Sequence, residues 1–97
     1  MHKVDQAKWE ASRSDASGID DESVLVSRAI EGDSHAFGRL YESRLDAIYR
    51  YVYFRVGDTA QAEDMTEEVF VKAWEALPAY RPGRNPFSSW LYRIAHN

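Results

Sequence analysis

Between Ser34 and Val56 the apolar side chains fall at Phe37, Leu40, Tyr41, Leu45, Ile48, Val52 and Val56. Steps of three and four residues put them on one face of a helix. The inner stretch YRYVYFR alternates and is rich in strand formers, so alone it also fits a strand. The longer window decides for one helix of about six turns, with most of its aromatic residues at the core or its edge. Upstream, ESVLVSRAIEG reads as a short helix that starts near Asp20-Asp21 and ends at Gly32, a residue suited to a left-handed terminus. Asp33 then caps the long helix.

Gly57-Asp58 repeats this punctuation. Asp58 with Gln61 has capping-box spacing and opens a third helix that runs to about Leu77. Its stripe is Ala62, Met65, Val69, Ala73 and Leu77, flanked by Phe70 and Trp74. Pro78 ends it, and PAYRPGRNPF reads as a loop. Asn85-Pro86 looks like a cap followed by proline at the first helical position, opening a last helix with Phe87, Trp90, Leu91 and Ile94 on its apolar face. These patterns predict an all-α fold of three main helices plus a short N-terminal one, over residues 21–97. Residues 1–20 are polar, with Trp9 and no sustained period, and are expected to form a disordered tail.

Composition adds limits. The 97 residues suffice for one modest core, and there is no cysteine for a disulfide or a thiolate metal site. No apolar run is long enough to cross a membrane. MHKVDQAKWEASRSD lacks the apolar core of a signal peptide. A cytoplasmic protein without membrane insertion is therefore expected. The net charge is −4, but from Pro78 onward the chain carries Arg81, Arg84 and Arg93 and no acid. Either this is chance, or an acidic body and a basic end serve different partners.

The run AEDMTEEVFVKAW crowds Glu63, Asp64, Glu67 and Glu68 together. A helical di-metal site needs inward carboxylates and Glu-x-x-His motifs. Neither Glu63 nor Glu67 has a histidine three residues on, and His2, His35 and His96 are scattered. The acids face away from the apolar stripe, where water keeps both members of any acid/base pair ionised. No nucleophile motif and no phosphate-binding glycine loop is present. No metal, no cofactor and no enzymatic activity are expected. A solvated helix face is the ordinary meaning of such a run. A docking face is the sharper one: Asp64, Glu67, Glu68 and Val71 share one side, and an apolar residue among acids suits a contact surface.

At the basic end, arginines interleave with Tyr80, Phe87, Trp90 and Tyr92, a mixture that suits single-stranded nucleic acid. Trp90 falls on the apolar stripe, so Phe87 is the better stacking candidate, and Asn85, Ser88 and Asn97 offer hydrogen bonds to base edges.

The segments AIEGDSHAFGRLY, AEDMTEEVFVKAW and FSSWLYRIAHN, in this order and spacing, resemble region 2 of bacterial sigma factors of the sigma-70 family, extracytoplasmic-function (ECF) subfamily. The resemblance covers residues 22–97. It implies a helical transcription-initiation module with no activity as an enzyme. Such a module docks on the clamp helices of the RNA polymerase β′ subunit, and recognises and helps melt the promoter −10 element through its non-template strand. By this likeness Asp64, Glu67, Glu68 and Val71 belong to the polymerase contact. Glu67 stands where the family usually has glutamine, replacing an amide donor by a charge. The loop of residues 80–87 would hold a flipped base. Arg81, Arg84, Asn85, Phe87, Ser88, Tyr92, Arg93, His96 and Asn97 would contact DNA. An anti-sigma factor that masks the same faces is a further expected partner. The alternative is a sigma-like interaction domain bound by such a factor without DNA binding of its own. Family members carry a second helical domain, region 4, so a piece of a longer chain is expected.

Overall fold

Capping aspartates set the helix starts. The computed structural model describes residues 21–97 apart from Arg84, so the reading of residues 1–20 as a tail lies outside the described residues. Helix α1 spans Glu22–Ile30, and the Asp21 carboxylate accepts from the Ser23 backbone N–H and hydroxyl at 3.1 Å. Helix α2 spans Ser34–Val56. Asp33 accepts from the His35 and Ala36 N–H groups, and Arg28 adds an ion pair at 3.1 Å. The Ala36 bond is the main cause that lowers the Asp33 carboxyl below the ordinary aspartate value. Gly57, at φ 69°, closes α2 in the left-handed conformation that a glycine adopts without strain. Helix α3 spans Thr59–Ala76, with the Asp58 carboxylate accepting from Gln61 N–H at 2.8 Å. A 3₁₀ turn, Leu77–Ala79, follows, and helix α4 spans Phe87–His96.

The two-residue link makes α2 and α3 an antiparallel pair, and the ring contacts agree: Phe37 meets Trp74 at 5.0 Å and Tyr41 meets Phe70 at 4.8 Å. Helix α1 lies along α2, held by a two-pronged bond from Arg44 to Glu22 at 2.8 and 2.9 Å. Helix α4 packs on α3 and α2. Leu40, Ile48, Leu77 and Leu91 are the largest fully buried side chains, and Leu25, Val26, Val52, Val69, Phe70 and Phe87 complete the centre. Burial of each large side chain contributes roughly 1.5–3 kcal/mol.

Four details differ from the sequence reading. Met65 is exposed, and Thr66 occupies the buried position. The register 62, 66, 69, 70, 73 fits the core, and Thr66 is tolerated there because its hydroxyl donates to the Ala62 carbonyl at 2.7 Å. Phe54 is 82% exposed, outside the core-edge role expected of the α2 aromatics. Helix α4 starts one residue late, with Pro86 as N-cap at φ −58°, ψ 149°. Asn85 does not cap, and its carbonyl accepts the Tyr80 hydroxyl at 2.6 Å. Phe87 is 4% exposed, which overturns its role as an exposed stacking ring, while Trp90 is half-buried and packs against the core as expected. Tyr80 folds back over both rings, 6.1 Å from Phe87 and 4.8 Å from Trp90, and closes Phe87 into the core.

Candidate functional site

Helix α3 divides its side chains cleanly. One side enters the core, and the other carries Asp64, Glu67, Glu68 and Val71, all exposed and spaced by three and four residues along one ridge. Val71 is 53% exposed. Among the described residues Glu63, Asp64 and Glu68 make no hydrogen bond or ion pair with one another or with any other side chain. No group of three or more His, Cys, Asp or Glu among the described residues is placed to hold a metal ion.

Glu67 is different. The Tyr41 hydroxyl on α2 donates to its Oε2 at 3.0 Å. Partial burial, and then the Glu67 carboxylate, push the Tyr41 phenol up to about 12. Beside this pair lies a shallow groove of about 370 Å³ between α2 and α3, walled by Phe37, Tyr41, Phe70, Val71 and Trp74, with Glu67 and Glu75 on its rim. Trp74 remains 38% exposed. The sequence marks the ridge but not the groove, since Tyr41 and Glu67 are 26 positions apart and only the α2–α3 pairing joins them.

The basic end is assembled around the loop and α4. Arg81 and Asn85 are exposed in the loop, and Arg84 lies outside the described residues. The Tyr80–Asn85 bond braces the loop, and Gly83 turns it at φ 96°. A cavity of about 360 Å³ opens between this loop and α1, lined by Tyr80, Pro82, Asn85 and Phe87 on one side and by Glu22, Ser23 and Ser27 on the other. The α1 wall had no signal in the sequence.

Along α4, Ser88, Tyr92 and His96 form one stripe, and Arg93 and Asn97 form the next. Arg93, His96 and Asn97 are exposed, whereas Ser88 and Tyr92 are half-buried. The Tyr92 ring meets Tyr51 edge-on at 5.4 Å, so its body is committed to packing. His96 Nδ1 lies 3.2 Å from both the Arg55 guanidinium and the Tyr51 hydroxyl. Loop and α4 terminus are separated by roughly 14 Å of helix. Among the described residues, the basic-end side chains thus lie in the loop and along α4, with Phe87 withdrawn from the surface by burial.

Residues 40–97 match the family profile described as Sigma-70 region 2. The ECF RNA polymerase sigma factor BldN of Streptomyces coelicolor is 45% identical over 73 residues, which cover 75% of this chain and 28% of BldN. SigW of Bacillus subtilis, also an ECF RNA polymerase sigma factor, is 35% identical over 72 residues, 74% of this chain and 38% of SigW. The chain thus spans well under half the length of these curated relatives. A 1.8 Å structure of the RsbN–BldN complex aligns with a TM-score of 0.70 at 44% identity, covering 74% of this chain and 52% of that one. On sequence and fold together, the chain belongs to the sigma-70 region 2 family, and the relatives it matches here are ECF RNA polymerase sigma factors.

Proposed function

We propose that this domain docks on the clamp helices of the RNA polymerase β′ subunit through the α3 ridge, and contacts the non-template strand of the promoter −10 element through the loop and α4, helping to open the duplex. The observation that carries the reading is the ridge: Asp64 and Glu68 are exposed and unpaired among the described residues, with the 53% exposed Val71 one turn beyond. Unpaired carboxylates around an apolar residue complement a helix bearing arginines. At the other end, the exposed Arg81 and Arg93 supply phosphate contacts, and the braced cavity beside α1 supplies a pocket of a size for one base. A polymerase-bound module acts in the cytoplasm.

The direct test is retention of the β′ clamp-helix fragment by the wild type and by the Asp64→Arg/Glu68→Arg pair. The wild type is expected to retain the fragment and the reversed pair to lose it. Equal retention by both removes the docking reading.

A second reading has one observation in its favour. Burial of Phe87 withdraws the aromatic face best suited to stack a base. That suits an interaction domain without DNA binding, covered by a protein partner such as an anti-sigma factor; BldN, for comparison, was solved in complex with RsbN. Titration with single-stranded −10 oligonucleotides separates the two. Salt-sensitive binding supports the initiation module. Absence of binding to any strand, with clamp binding retained, supports the interaction domain.

A further inference from the structure

An exposed glutamate on a helix samples many rotamers, and a partner that grips it must pay for the loss of that freedom. Glu67 is not free in this way. Its Oε2 accepts from the Tyr41 hydroxyl at 3.0 Å, and the Tyr41 ring is itself fixed edge-on against the buried Phe70 at 4.8 Å. The bond crosses from α2 to α3, so the carboxylate is referenced to the helix pair and not to its own flexible stem. One oxygen is tied down, and the carboxylate keeps further lone pairs for a second donor.

The surroundings narrow what that donor is. The apolar groove runs directly beside Glu67, with Val71 and the half-exposed pair Phe37–Trp74 as its walls. An arginine side chain has the matching parts: an aliphatic stem for Val71, a planar face for Trp74, and a fork of N–H donors for a carboxylate. A lysine offers only a point charge, and an amide or hydroxyl does not answer the negative field of Asp64 and Glu68 next to it.

We propose that the α2–α3 groove is an arginine-binding subsite, in which Tyr41 is the positioning residue that holds Glu67 toward a guanidinium of the docked partner. This rests on the docking reading and deepens it. Glutamate at this position then differs from the glutamine usual in the family in kind: it accepts only, and the tyrosine supplies the one donor it needs from within the domain.

The test is a double-mutant cycle read as affinity for the β′ clamp-helix fragment, with thermal unfolding of each variant alongside. Tyr41→Phe keeps the ring and its packing and removes only the hydroxyl, so the midpoint of unfolding should stay near the wild-type value. Affinity should fall by roughly two- to tenfold, the equivalent of ordering one side chain. Glu67→Ala should lose at least as much, and Tyr41→Phe in the Glu67→Ala background should cost nothing further. Glu67→Gln, which keeps an acceptor for Tyr41 but no charge, should also weaken binding. Replacing the arginines of the fragment by lysine should weaken it against the wild type, with less effect against Glu67→Ala. Full additivity of the two substitutions, or a neutral Tyr41→Phe, overturns the inference while leaving docking intact if Asp64→Arg/Glu68→Arg still abolishes binding. Failure of the wild type to bind the fragment at all overturns both.

Discussion

The acidic and basic ends of this domain use aromatic residues in opposite ways. On the α2–α3 side, Phe37, Tyr41 and Trp74 stand half out of the core and wall a groove rimmed by the Glu67 and Glu75 carboxylates. On the loop–α4 side, Tyr80 and Phe87 are drawn into the core, and Tyr92 packs on Tyr51, so the exposed groups are arginines, amides and an imidazole. The first surface combines charge with apolar area on rigid helices, the composition of a protein–protein contact. The second offers charge and hydrogen bonds with one half-buried indole, Trp90, at its edge. Net charge distinguishes the two ends in the sequence. Only the three-dimensional fate of the rings shows that one end leaves aromatic area exposed beside its charges while the other draws its rings inward.

The largest effect expected of a single substitution tests the buried side of this contrast. Phe87→Ala should cost about 3–5 kcal/mol in urea unfolding, as truncation of a buried aromatic does. A Phe87→Ala variant as stable as the wild type, impaired only in oligonucleotide binding, would return Phe87 to the surface and dissolve the contrast. Next comes the charge reversal Asp64→Arg/Glu68→Arg. Each lost charge-assisted contact is worth roughly 1.5–3 kcal/mol, so clamp affinity should drop by about 100-fold or more. Binding of a single strand should not fall, and a matching fall there would mean that the ends are not separate. A smaller effect belongs to Arg81→Ala. It should weaken strand binding severalfold for all sequences and reduce the slope of affinity against salt by about 0.7, one phosphate contact on a single strand. An unchanged slope would take Arg81 off the phosphate path.

The smallest effect concerns Tyr41 at high pH. Its phenol titrates at about 12 in the folded domain against about 10 in an unfolded chain. The proton is held more tightly in the fold, so the contribution is complete below pH 10 and is lost as the pH rises toward 12. Tyr41→Phe should remove that part of the alkaline decline in stability, and an unchanged decline would mean that neither burial nor the Glu67 carboxylate raises this phenol.

Local signals carried most of the fold. Asp33, Gly57 and Asp58 marked the limits of α2 and the start of α3, because caps and left-handed glycines act within a few residues. The start of α4 slipped by one because Asn85-Pro86 fits a cap on local grounds, while the Tyr80 hydroxyl, arriving from across the loop, had already engaged the Asn85 carbonyl. Thr66 and Met65 exchanged places because helix register, and not side-chain polarity, decides which face enters a core, and a threonine can satisfy its own hydroxyl. The ridge was legible because it lies on one helix. The groove, the Tyr41–Glu67 bond and the α1 wall of the loop cavity were not, since each joins residues from different helices and depends on how those helices pack.

The separation of the two faces is most directly tested by asking whether both ligands bind at once. A fluorescently labelled −10 single strand is first bound to the domain, and the β′ clamp-helix fragment is then added to saturation while anisotropy is followed. Independent faces predict that the strand stays bound and the anisotropy rises as a ternary complex forms. Release of the strand, with anisotropy falling to the free value, would show that the two ligands compete for one surface and would contradict the account.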